Sequence, residues 1–143
     1  MAPPAGVAFE VGASPAPAEV NAAYAWVEWP PREDWRLEAI ARSCTWITAR
    51  EANGSLVGIA RLLDDGGIHA SLWDVIVRPD RQGRGIGTRL LELALERCSD
   101  RSLLALVSTP AAADFFRHRG FVPESHGHRA MYRRPHHDPH PHH

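Results

Sequence analysis

A chain of 143 residues with 44% hydrophobic content is one domain by length, long enough to bury a single core. Its 16 basic side chains, all arginine, nearly balance 17 acidic ones, so no net charge draws the chain to nucleic acid or an acidic membrane. Cys44 and Cys98 lack metal-ligand spacing and suit a reducing compartment, and residues 1–6 show neither the basic start nor the apolar run of a signal peptide. A cytoplasmic location is the expectation.

Residues 7–11 alternate weakly, as a first strand would, until Ser14-Pro15-Ala16-Pro17 breaks the pattern. A helix is expected over 19–28, ended by Trp29-Pro30-Pro31, and a second over 33–43 with Trp35, Leu37, Ile40 and Ala41 on its apolar side. Residues 44–50 alternate around Trp46 and Thr48. Asn53-Gly54 then reads as a two-residue hairpin turn into a strand over 56–63. A second turn, Asp64-Asp65-Gly66-Gly67, leads into a long strand over 68–77 that is apolar on both faces, as expected in the middle of a covered sheet. Asp74 is the exception within it.

A glycine-rich turn follows, and then an amphipathic helix with Ile86, Leu90, Leu91, Leu93, Ala94, Leu95 and Cys98 on one broad side. Residues 103–107 form a short apolar run, expected as a buried strand. Pro110 suits a first helical turn, residues 111–119 a short helix closed by Gly120, and 121–122 with 130–133 a last pair of strands. Residues 135–143 carry five of the nine histidines and read as a disordered appendage, since proline-spaced tail histidines do not hold a metal in fixed geometry. Trp26, Trp29, Trp35 and Trp46 read as packing for the two early helices before they read as an acceptor pocket.

The turn Arg81-Gln82-Gly83-Arg84-Gly85-Ile86-Gly87-Thr88 carries the chemistry. Consecutive backbone N–H groups beside a helix N-terminus suit an anion such as phosphate, and glycines at 83, 85 and 87 let the backbone approach it closely. Arginines at a helix start oppose the helix dipole unless an anion binds there. A P-loop needs a lysine the chain lacks, and a dinucleotide fingerprint needs a glycine where Thr88 stands. What remains is Q/R-x-x-G-x-G/A, met by Gln82, Gly85 and Gly87.

That turn closely resembles the acetyl-CoA pyrophosphate loop of the GCN5-related N-acetyltransferase (GNAT) family. Phe115-Phe116, three residues, then Gly120-Phe121 resemble the family's second signature, and the order of elements is similar over residues 7–134. Trp73-Asp74-Val75-Ile76-Val77-Arg78-Pro79 and Met131-Tyr132 look closest to the branch that acetylates arylalkylamines or protein lysines. The resemblance implies an α/β (α+β) fold with a mixed, mostly antiparallel sheet of six to seven strands and about four helices on both faces.

It also implies an N-acetyltransferase moving acetyl from acetyl-CoA to a primary amine, with no metal, no nucleic acid and no membrane partner; a homodimer stays open. The donor would be held by the N–H groups from Gln82 to Thr88, by Arg81 and Arg84, and by Phe115, Phe116 and Arg119. Val75, Ile76 and Val77 would lie along the pantetheine arm. The family's usual proton donor, a tyrosine, is replaced by Phe116, so Tyr132 and Ser108 become substitute candidates, and a non-catalytic acyl-CoA-binding module is the alternative. Asp74 is the leading candidate for holding or deprotonating the amine; a salt-bridged structural aspartate is the competing role, because a carboxylate in an apolar strand must be paired, neutral or facing a cavity.

Overall fold

The structure, a computed structural model, describes residues 4–135. The chain divides into two compact units, Met1–Leu106 and Val107–His143. The histidine-rich segment from residue 136 onward, expected as a disordered tail, and residues 1–3 lie outside the described residues.

The first unit is a sheet in the order β1-β2-β3-β4-β5 with three helices: β1 (Val7–Val11), α1 (Pro17–Trp26), α2 (Asp34–Ser43), β2 (Thr45–Glu51), β3 (Leu56–Asp64), β4 (His69–Val77), α3 (Ile86–Arg97) and β5 (Leu103–Leu106). β1 to β4 form an antiparallel meander, and β5 returns parallel to β4 after the α3 crossover. α1 starts earlier than the apolar pattern indicates. Pro17 occupies its first turn, where a missing N–H costs nothing, and Glu19 accepts from the Ala16 N–H at 3.0 Å. Glu19 also holds Arg50 of β2 at 2.6 Å, a bond that keeps its carboxyl below the usual carboxylate range.

The sheet separates two apolar layers. On one side α1 and α2 supply Val20, Ala23, Tyr24 and Leu37 against Trp46, Ile59 and Ile76. On the other, α3 lies across β2, β3 and β4. Gly58 shows why α3 comes so close: a Cβ there would meet Ile86 Cγ2 and Leu90 Cδ1 at 3.1 Å. Ile86 is the first residue of α3, so this close approach sets where the helix begins.

Several expectations change. The hairpin after β2 is not a two-residue turn: it spans Ala52 to Gly54, with Gly54 at φ 87° and Asn53 Oδ1 accepting from the Ser55 N–H at 2.9 Å. β5 is half exposed rather than buried, with Leu103 and Ala105 outward. Trp35 is 61% exposed beneath the Arg36 guanidinium, so it packs no helix onto the sheet.

In the second unit, residues 110–112 form a 3-10 turn and α4 (Ala113–Arg117) is shorter than expected. The last two strands do not form: a tight turn with His126 and Gly127 both at positive φ joins Ser125 to His128, and no ladder extends from it. Val122, Met131 and Tyr132 are each more than two-thirds exposed, so no apolar burial holds that pair, and the sheet has five strands rather than six to seven. Among the described residues no helix is long and apolar enough to cross a membrane.

Gly58→Val is expected to lower unfolding free energy by about 1–3 kcal/mol, because the side chain overpacks the seat of α3. Thermal melting of the variant checks it; an unchanged midpoint contradicts the close-approach argument.

Candidate functional site

The site begins with a defect in β4. On β3, Ile59 and Arg61 are two residues apart; their partners on β4, Ile76 and Trp73, are three apart. The extra residue is a β-bulge, and within it Asp74 adopts φ 55°. A left-handed conformation is unusual outside glycine, and Asp tolerates it better than most side chains.

The bulge turns the Asp74 carboxylate toward the α1 layer, where it is nearly fully buried. Its Oδ2 accepts from Tyr24 Oη at 2.8 Å and from Arg61 Nε at 2.8 Å. Arg61 also donates to Cys44 Sγ at 3.5 Å. Burial, followed by the Asp74 charge and hydrogen bond, pushes the Tyr24 hydroxyl far above the ordinary tyrosine range. The Trp29 ring tilts against Tyr24 with centroids 5.6 Å apart. This is an ion pair with a hydroxyl clamp, and it fastens the strained residue from two elements.

The bulge has a second consequence. β5 follows β4 only from His69↔Leu103 to Leu72↔Leu106. Residues 73–77 of β4 pair with β3 on one side and with no described strand on the other. Backbone groups of Val75 and Val77 therefore face the side that no described strand covers, where the Val77 carbonyl accepts from Gln82. The Ile76 side chain points into the α1 layer and its backbone faces Ile59 of β3, so the outward backbone groups are those of Val75 and Val77.

At the end of that edge stands the glycine turn. A 3-10 turn, Pro79–Arg81, leads to Gly83 at φ 75° and Gly85 at φ 85°, the residue preceding α3. No side chain caps α3, its first turn carries no acid, and its first ladder bond is the Arg89 N–H to the Gly85 carbonyl. The amides of Ile86, Gly87 and Thr88 precede that bond and lie outside the helix's own ladder. The Ile86 side chain is buried in the core. Gln82 ties the turn to the strand: its Nε2 donates to the Val77 carbonyl at 3.1 Å.

The two arginines expected to meet an anion differ. Arg81 is engaged by Glu51 and by Asp80, at 3.2 Å for the latter, whereas Arg84 is exposed and has no acidic partner among the described residues. A cavity of about 660 Å³ opens on the β2 side of the turn, lined by Glu51, Asn53, Arg81, Arg84 and Ile86 among others. It lies away from the open edge of β4, which faces the β5 side.

The remaining candidates belong to the second unit. Phe116 is buried against Phe121 and Phe115, at centroid distances of 5.7 and 5.1 Å. The Arg119 guanidinium lies 3.8 Å from the Phe115 ring centroid and donates to its carbonyl. Ser108 Oγ donates to the Thr109 carbonyl at 2.7 Å, and Tyr132 is 68% exposed. Tyr24, Arg61 and Glu51 escaped the sequence reading. For Tyr24 the only signal was a phenol among the small and apolar residues 22–26, and for Arg61 a charge inside an apolar strand.

A family model, Acetyltransferase (GNAT) family, matches residues 15–121. The chain belongs to the GNAT acetyltransferase family. Serotonin N-acetyltransferase 2, chloroplastic, of Oryza sativa subsp. japonica is 35% identical over 109 residues, covering 72% of this chain and 54% of that protein. Histone acetyltransferase TAP1 of Glycine max is 29% identical over 124 residues, covering 78% and 54%. The chain spans about half the length of the curated relatives it matches. Among solved structures, the probable acetyltransferase SA2161 of meticillin-resistant Staphylococcus aureus superposes with a TM-score of 0.76 at 19% identity, over 89% of this chain and 99% of that one. Ribosomal-protein-alanine N-acetyltransferase of Brucella melitensis biovar Abortus 2308 gives 0.64 at 19% identity, over 89% and 98%. These likenesses show that the fold is the GNAT fold, and the match to the GNAT model spans both units of the chain.

Asn is comfortable in the left-handed region, so Asp74→Asn removes the charge without changing the backbone demand. It strands the Arg61 charge and is expected to cost about 3 kcal/mol of unfolding free energy, with Tyr24→Phe costing about 1 kcal/mol. Urea unfolding checks both; a wild-type midpoint for Asp74→Asn contradicts the clamp.

Proposed function

We propose that the chain is an N-acetyltransferase that transfers acetyl from acetyl-CoA to a primary amine. One observation carries the reading: the edge of residues 73–77 that no described strand covers runs into a glycine-lined helix N-terminus with no side-chain cap, bearing Arg84, which has no acidic partner among the described residues. The two parts match the two parts of a CoA ester. A pantetheine arm carries amide groups that can pair with a strand edge, and the pyrophosphate is a dianion suited to backbone N–H groups and a positive dipole end.

The chain's residues then have distinct tasks. Val75 and the Val77 N–H offer backbone pairing to the pantetheine arm, the Val77 carbonyl being held by Gln82. The amides from Gln82 to Thr88 receive the pyrophosphate, with Arg84 adding a charge-assisted bond and Gly83 and Gly85 keeping the approach free of Cβ atoms. A strand N–H on the same edge steadies the thioester oxygen as charge develops during attack by a neutral amine. The leaving thiol has an ordinary pKa of about 8.5, so water can return its proton where no positioned acid does.

Asp74 acts here as a positioning residue. Its Oδ2 already accepts from Arg61 and Tyr24, and taking up a proton would forfeit that ion pair. Primary amines of arylalkyl or peptide class are the acceptors to test, since relatives carry the names serotonin N-acetyltransferase and histone acetyltransferase. A second reading, a non-catalytic acyl-CoA-binding module, is favoured by one observation: Phe116 offers no hydroxyl and is packed against Phe121.

A thiol-release assay with acetyl-CoA, run against arylalkylamines and lysine- or alanine-ended peptides, distinguishes the two. Turnover with at least one acceptor is expected; tight CoA binding with no turnover on any acceptor contradicts the enzyme. Phe116→Tyr is expected to raise kcat, on the order of a hundredfold if a positioned acid is all that is missing.

A further inference from the structure

We infer that Glu51, a residue of β2 with no place in the motif, positions the phosphate turn for acetyl-CoA through a closed ring of ion pairs. The inference rests on the acetyl-CoA reading above. Arg78 Nη2 donates to Glu51 at 3.0 Å and Arg78 Nε to Asp80 at 2.6 Å. Arg81 closes the ring, with Nη2 on Glu51 and Nη1 on Asp80 at 3.2 Å. Glu51 and both arginines are no more than 30% exposed, so water screens the two pairs on Glu51 less than it screens a surface pair, while Asp80 closes the ring from the exposed side.

The ring joins three places that must keep register. Glu51 ends β2, Arg78 follows the last residue of β4, and Arg81 ends the 3-10 turn that precedes Gly83. The Arg78 backbone N–H also bonds the Val57 carbonyl at 2.8 Å, which seats this corner on β3. Two positive and two negative members make the ring neutral overall, so it adds no net attraction for an anion. Arg81 spends its guanidinium inside the ring, and Arg84 is left as the turn's direct anion contact. Glu51 is thus a carboxylate kept beside an anion-binding turn, where a bare charge argument says it should weaken binding.

That conflict gives a test of sign. Glu51→Gln keeps the shape and removes the charge. Acetyl-CoA binding to the full chain is measured by calorimetry, with KM and kcat taken from thiol release. Positioning predicts that Glu51→Gln weakens binding and raises KM by roughly fivefold, the scale of one partly exposed ion pair, with kcat moved less than about twofold. Equal or tighter binding overturns it, because loss of a negative charge alone gives that result. Arg81→Met removes the partner at similar length and is expected to weaken binding comparably, with the double variant little worse than either single one. Fully multiplicative losses overturn the shared ring. A wild-type chain that binds no acetyl-CoA overturns the CoA reading itself, whereas normal wild-type binding with an unimpaired Glu51→Gln overturns the positioning role alone.

Discussion

The contact on which the rest of the site depends is the Asp74 carboxylate held between Arg61 and Tyr24. A non-glycine residue at φ 55° inside a central strand costs on the order of 1 kcal/mol or more and persists only where its surroundings over-determine it. Here they do: α1 supplies the hydroxyl, β3 the guanidinium, and burial strengthens both bonds. Beyond Leu72, the β5 side of β4 is covered by no described strand.

The glycine-rich turn before α3 needs the same sheet for a different reason. Its glycines bend the chain, but its place is set from outside. Gly58 lets the first residue of α3 rest close against β3, Gln82 reaches back to the last carbonyl of β4, and Glu51 locks Arg78 and Arg81 from β2. An anion site made from backbone N–H groups is only as accurate as the backbone that presents them. Three strands share in fixing this one.

Much of this was legible in the sequence, and the reasons for the remainder are physical. The meander, the α3 crossover and the phosphate turn follow from period-2 and period-3.6 patterns and from glycine spacing, all local signals. Asp74 stood out as one carboxylate in an apolar run. Its partners did not, because Tyr24 and Arg61 lie 50 and 13 residues away and their meeting is a matter of packing. The bulge was equally silent, since a strand apolar on both faces has no phase for an inserted residue to shift. Glu51 reads as an ordinary strand-end acid until the fold brings Arg78 and Arg81 to it. The final strands were over-read for the opposite reason: residues 121–122 and 130–133 are strand-like in composition but bury almost nothing.

A β4 edge that receives the donor's arm would be protected when acetyl-CoA binds. Amide hydrogen exchange read on peptides covering residues 73–77, with and without acetyl-CoA, tests it most directly. Slowed exchange across those residues together with the turn at 82–88 is the predicted result. Protection confined to the turn, with residues 73–77 exchanging as before, would contradict it.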